Sequence, residues 1–350
     1  MSRLSNESPR AIAYWLLACC ALVFAMVVVG GMTRLTHSGL SIVEWQPIVG
    51  TIPPLDDAQW ADTFAKYQRT PEFRLRNHDM TLEGFKGIFW WEYFHRLLGR
   101  VIGVAFLLPF LYFLARRRLD ARLGVKLAGI FLLGGLQGAL GWYMVKSGLV
   151  DDPRVSSVRL AAHLGLAFLI YASMLWVALG LLVPAAARAR RGLVTHAGIV
   201  VALVFAMVLS GALVAAIKAG YAYNTFPLMN GEWFPAEILV INPWWMNLIH
   251  NMATVQFNHR WLAIGIAAVV VALWWRVFSD EAASPRARLW SHALVAATAL
   301  QISVGIATLL LRVPLALAAV HQAGALIVFS GAIVLAHALR GAGYSGRREV

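Results

Sequence analysis

Apolar residues in this chain come in long blocks, not at the 3.6-residue spacing of an amphipathic helix or the alternation of a strand. Eight blocks are long enough to cross the hydrocarbon core of a bilayer, which takes about 20 residues of helix. They fall near 11–32, 88–115, 124–145, 156–183, 194–217, 250–275, 288–311 and 314–338. The pattern predicts an all-α integral membrane protein with eight transmembrane helices. Two connecting stretches are long, 33–87 and 218–249, and both are rich in turn residues and tryptophan. The first block, Ala11 to Met32, outlasts the apolar region of a signal peptide and ends without an A-x-A-like cleavage site. It reads as a retained helix, and nothing before it resembles a transit peptide.

Composition agrees. The chain has 350 residues, 60% hydrophobic and only 13% charged, against about 25% charged in a soluble domain. A water-soluble globule, a disordered chain and a disulfide scaffold are all excluded. A net charge of +13 raises nucleic acid as a partner, but its distribution argues otherwise. With the N-terminus in the cytoplasm, the inner segments carry 16 basic and five acidic residues. The remaining 14 basic and 12 acidic residues nearly balance. The excess is the positive-inside signal and needs no nucleic acid. Both termini then face the cytoplasm and the two long loops face outward. Cys19 and Cys20 are adjacent in the first span and share no helix face; the outer loops have no cysteine.

Self-comparison reveals a repeat. His95-Arg96 matches His259-Arg260 at an offset of 164, and Leu136-Gln137 matches Leu300-Gln301 at the same offset. His163 matches His321, and Gly30-Gly31 ends the first span much as Ser210-Gly211 sits late in the fifth. Four spans separate equivalent elements, so the halves share one orientation. The expected architecture is two four-helix bundles related by a pseudo-twofold axis along the membrane normal: residues 1–184, a basic cytoplasmic linker 185–192, and residues 193–350.

Ionisable residues inside spans are rare and usually functional. His95, His163, His259 and His321 lie at matching depth near the outer leaflet, in spans 2, 4, 6 and 8. Two histidines facing each other at one level of a bundle can clamp a haem iron. A single such residue is more often a hydrogen-bonded core histidine, but four paired by a repeat favour ligation. Zinc or copper fits less well, because neither pair has further cysteine or carboxylate ligands at suitable spacing. The other six histidines have no repeat counterparts of this kind.

The halves also differ. Glu92 stands three residues before His95, on the same side of the helix; its counterpart is Gln256. A carboxylate here either handles protons or charge or orients an imidazole. The difference points to a reactive haem site in residues 1–183 and an electron-transfer or structural haem in the second half. Arg96, Arg100, Arg159, Arg260 and Arg34 cluster near the outer span ends, where they suit haem propionates or interfacial snorkelling. Trp90-Trp91, Trp233 and Trp244-Trp245 suit an aromatic belt.

At this point the residues resemble the haem A synthase family, which converts haem O to haem A for haem-copper terminal oxidases. The carriers are Gly30 to Ser41 (GGMTRLTHSGLS), Glu92-Tyr93-Phe94-His95-Arg96, Tyr223-Asn224-Thr225-Phe226-Pro227, Phe257-Asn258-His259-Arg260 and Val320-His321-Gln322. The resemblance runs over nearly the whole chain. It implies a haem b ligated by His259 and His321, with Arg260 beside it, and a substrate haem facing His95 and His163, with Arg96 beside it. It marks Glu92 as an essential acid. It implies oxidation of one ring methyl of haem O to a formyl group by successive hydroxylations. Implied partners are haem O, haem O synthase, an electron-transfer partner and the lipid bilayer; a homo-oligomer is compatible. The implied place is a bacterial inner membrane, with the haem sites near its outer face. The absence of an outer-loop cysteine pair resembles the Cys-free proteobacterial and mitochondrial branch. The main rival is a dihaem b-type cytochrome that moves electrons or oxidises quinol. A parallel-repeat transporter is a weaker rival, because it predicts broken helices near mid-membrane.

Overall fold

The computed structural model describes residues 4–46, 49–150, 152–183 and 189–340, without the side chains of 4–8 and 49. The expected linker 185–192 is thus described only from residue 189. Pro47, and Arg3, Arg188, Arg347, Arg348 and Glu349 of the charge count, lie outside the described residues.

Among the described residues, eight helices are long and apolar enough to cross a membrane: α1 (Leu4–Leu35), α4 (Leu82–Ala115), α5 (Ala121–Lys146), α6 (Ser157–Leu182), α7 (Arg191–Ala216), α9 (Met252–Phe278), α10 (Pro285–Leu310) and α11 (Leu315–Arg340); the short α2 (Asp57–Gln68), α3 (Pro71–Arg76) and α8 (Asn247–His250) lie between them. The chain is a multi-pass membrane protein. Helices end where side chains replace missing backbone partners. Thr81, Asp120, Asn251 and Ser284 each accept from the amide three residues on, opening α4, α5, α9 and α10. Burial differs sharply between helices. α5 buries only Leu127 and Ile130 and exposes Val125, Leu132, Leu136 and Trp142, as a helix bathed in lipid does. α11 buries Val328, Phe329 and nearly every residue from Gly331 to Leu339, which its small and apolar residues on all sides permit.

Compactness divides the chain into residues 21–167 and residues 1–20 with 168–350. The first turns of α1 and the later turns of α6 thus fall in the second unit. In that unit, Phe329 meets Phe168 and Phe205 at ring distances of 5.4 and 6.1 Å. α7 packs against α9 and α11, and α10 packs against the same two. α9 and α11 therefore stand diagonally opposite in a four-helix ring.

The unit 21–167 holds what the apolar pattern missed. Two short helices, α2 (Asp57–Gln68) and α3 (Pro71–Arg76), lie within the long 33–87 stretch. α4 also begins six residues before the expected 88. The reason is one aromatic cluster. Trp60, Tyr67, Phe85, Phe89 and Tyr93 are all buried, with Phe64, Phe73 and Met80 around them. The rings of Phe85 lie 5.1 Å from Tyr67 and 5.2 Å from Phe64. Tyr93 Oη donates to the Thr51 carbonyl at 2.7 Å. Burial pushes the Tyr67 phenol up from its ordinary pKa, so it stays neutral and accepts from Asn77 Nδ2 at 2.7 Å. These contacts fasten the loop to the first turns of α4.

Phe85 is fully buried at the centre of this cluster. Phe85→Ala is expected to cost about 3–5 kcal/mol of local stability. Limited proteolysis in detergent will then cleave residues 57–76 rapidly, while helical circular dichroism stays near that of the parent.

Candidate functional site

The four repeated histidines sit in two equivalent seats. In the second half, His259 is on α9 and His321 on α11, the diagonal pair of the ring. Both residues are half-buried. Behind each stands a glycine on the neighbouring helix. A Cβ on Gly211 would fall 3.3 Å from His259 Cε1, and one on Gly305 would fall 2.7 Å from His321 Cε1. No larger residue at position 305 leaves room for the ring without a shift. Ser210 Oγ lies 3.1 Å from His259 Nδ1. Gln301 Nε2 donates to the His321 carbonyl at 2.8 Å and lies 3.1 Å from its Nδ1.

The first half repeats the plan within residues 21–167. His95 on α4 and His163 on α6 are half-buried. A Cβ on Gly30 of α1 would fall 2.9 Å from His95 Nε2; one on Gly141 of α5 would fall 2.9 Å from His163 Cε1. Gln137 Nε2 donates to the His163 carbonyl at 3.0 Å and lies 3.3 Å from its Nε2. The Nδ1 of His163 is buried without a hydrogen-bond partner. An orphaned buried imidazole nitrogen is costly and marks a place where a ligand completes the site.

The donor chemistry fits haem. Among the described residues, no group of three or more His, Cys, Asp or Glu side chains converges on one point, so zinc-type ligation has no site there. Two paired imidazoles per half are what six-coordinate haem iron takes from a protein.

Glu92 and Arg96 work differently from a bare carboxylate beside a ligand. Glu92 is 2% exposed. Its Oε2 accepts from Ser41 Oγ at 2.7 Å and from the Ile42 amide at 2.8 Å. Its Oε1 accepts from Arg96 Nη2 at 2.7 Å and Nε at 3.1 Å. Arg96 goes on to donate to the Ile42 and Glu44 carbonyls. The second half builds the same clamp with the polarity reversed. Gln256 Nε2 donates to the Ala219 carbonyl at 2.8 Å, while its Oε1 accepts from Arg260 Nη2 at 2.9 Å. Arg260 then donates to the Tyr223 carbonyl at 2.6 Å and reaches those of Pro227 and Leu228. The first loop presents donors and needs an acceptor-only carboxylate. The second presents a carbonyl and needs an amide that can donate. The N–H groups of Arg96, and the terminal ones of Arg260, are thus shared between loop carbonyls and the side chain of Glu92 or Gln256. Arg159 donates to the Tyr143 carbonyl and lies over its ring.

These clamps account for the loop motifs. Between Gly30 and Ser41, Thr33 Oγ1 donates to the Val29 and Trp91 carbonyls, and Ser38 and Ser41 are fully buried. Asn224 Nδ2 bonds the Gly220 and Leu309 carbonyls, and the Thr225 side chain closes the turn that follows. Of the remaining histidines, His196 bonds the Val269 carbonyl and Arg276, His292 accepts from Trp274, and His337 packs edge-on to Trp176 with its Nδ1 buried and unpaired. Sequence reasoning treated Gln137 and Gln301 only as markers of the repeat and passed over Gly141 and Gly305. The signal was present, since both glycines follow their glutamine by four residues on one helix face.

Comparison with known proteins gives the same direction. A family model described as cytochrome oxidase assembly protein matches residues 13–333. Proteins named heme A synthase from Nitrosospira multiformis, Nitrosomonas eutropha and Rhodospirillum centenum are 58%, 52% and 51% identical to this chain. The matches cover 95%, 94% and 96% of this chain and 94%, 93% and 90% of theirs. The chain therefore belongs to the haem A synthase family of cytochrome oxidase assembly proteins.

Proposed function

We propose that this protein oxidises haem O to haem A in a bacterial inner membrane, for the assembly of haem-copper terminal oxidases. The observation that carries the reading is the doubled histidine seat, in a chain more than half identical to proteins named heme A synthase. His259 and His321 are the residues that would hold a resident haem b. When bound, that haem supplies one-electron transfer. His95 and His163 face the substrate haem O. The orphaned Nδ1 of His163 supports a seat that is completed only when substrate arrives.

The substrate's ring methyl is carried through two hydroxylations to a geminal diol, which loses water to leave the formyl group; in net terms methyl plus one water gives formyl with four protons and four electrons, and the electrons leave to the external electron-transfer partner. Glu92 lies one helical turn from His95 and is held in place by Ser41, Ile42 and Arg96. Its role is to keep negative charge fixed beside the reacting methyl and to accept a proton there. The same bonds dock the 33–46 segment over the seat, which excludes water from the reacting centre. Sidedness follows from charge: both termini face the cytoplasm, and the haem seats lie near the outer face. Haem O synthase and an electron-transfer protein are the expected partners.

One observation favours a second reading, a dihaem b-type cytochrome. Glu92 and Gln256 each complement their own loop, so the difference between them does not require a reactive half.

Haem extraction separates the two. The chain is expressed in a host that makes haem O but no haem A, and the haems extracted from the purified protein are identified by mass. Haem A or its hydroxylated precursor beside haem B is the expected result; haem B alone with haem O available means an electron-transfer cytochrome. Glu92→Gln is expected to retain haem and stall conversion by at least about tenfold; undiminished haem A would exclude the role given to Glu92. Gln256→Glu sets a carboxylate against the Ala219 carbonyl. It is expected to cost about 1–3 kcal/mol, read as a lowered Tm in detergent.

A further inference from the structure

The two histidine seats differ at one atom that neither the repeat nor the proposed activity explains. Late in α1 and α7 the halves correspond at an offset of 181: Gly30 and Gly211 each back the first histidine of their half, the helices end at Leu35 and Ala216, and Val29 stands where Ser210 does. In the second half Ser210 supplies a hydroxyl, and its Oγ stands 3.1 Å from His259 Nδ1. In the first half Val29 has no polar side-chain atom to offer. The space is so closed that a Cβ on Gly30 would fall 2.9 Å from His95 Nε2.

A histidine that gives Nε2 to iron carries its proton on Nδ1. A hydroxyl that accepts this proton fixes the tautomer and the ring plane and strengthens the ligand's donation to the metal. Ser210 is placed to do so: its hydroxyl meets Nδ1, and the bare Gly211 backs the Cε1 edge of the same ring. We infer that Ser210 is a positioning residue for His259, holding that imidazole as a permanent iron ligand, while Val29, in the corresponding place, gives His95 no such hold. The inference rests on the reading that His259 and His321 carry a resident haem. It adds a physical reason why one half retains its haem and the other exchanges substrate for product.

The test uses the full chain, purified in detergent with its haem b, in Ser210→Ala, Ser210→Thr and His259→Ala forms. Three readouts are followed: the haem b midpoint potential, its low-spin electron paramagnetic resonance spectrum, and the rate of haem loss to apomyoglobin. In Ser210→Ala, loss of the hydrogen bond weakens ligand donation. The potential is expected to move upward, the low-spin signal to shift, and haem loss to quicken by about tenfold. Ser210→Thr keeps the hydroxyl and is expected to restore all three toward the parent. Ser210→Ala indistinguishable from the parent would overturn the inference, as would a Thr variant that behaves like Ala, since the effect would then follow side-chain size. Parental haem b content in His259→Ala would remove the resident-haem reading, and the inference with it.

Discussion

A polar group in hydrocarbon has no water to bond, so each one here must find its partner inside the protein. That constraint organises the structure. The imidazoles lie on helices, where the backbone satisfies itself, and one ring nitrogen each of His163, His259 and His321 is met by a neighbouring side chain. Gln137 and Gln301 each bond the carbonyl of a histidine on the adjacent helix and reach its ring. Glycines at 30, 141, 211 and 305 let the rings press against the next helix backbone. A ring seated this closely has little rotational freedom, and a ligand clamp needs that restriction.

The same constraint governs the loops. Each long loop must be tied to the helix that carries the first histidine of its half. The tie is made by residues three before and one after that histidine: Glu92 with Arg96, and Gln256 with Arg260. The arginine performs the same task in both halves, donating to loop carbonyls. The other member varies because the loops differ in what they offer. A buried carboxylate facing the Ile42 amide and the Ser41 hydroxyl is well matched. A carboxylate facing the Ala219 carbonyl would not be. Glu92 thus docks its loop from a position one helical turn before His95.

The two histidine pairs sit in similar surroundings that differ in few atoms. Serine at 210 against valine at 29 is one such difference. The ring nitrogen that the glutamine reaches is another: Gln137 meets Nε2 of His163 and leaves its Nδ1 unpaired, whereas Gln301 meets Nδ1 of His321.

The eight spans were legible in sequence because long apolar blocks have one stable solution in a bilayer, and the repeated histidines were legible because polar residues stand out against those blocks. The start of α4 was not, nor were α2 and α3. Their apolar residues pack on one another through Phe85 and Trp60 rather than against lipid, so no long apolar run announces them. The identity of Glu92 and Gln256 was visible, but not what each one bonds, because Ser41 and Ala219 lie 51 and 37 residues away in the chain. Sequence alone determined the class, the number of crossings and the four imidazoles, since these follow from local hydrophobicity and internal spacing. Only the tertiary structure decided which polar atoms face one another. Hydrogen-bond partners are set by packing between distant segments, and a carboxylate can serve as anchor, ligand support or proton acceptor until its neighbours are in place.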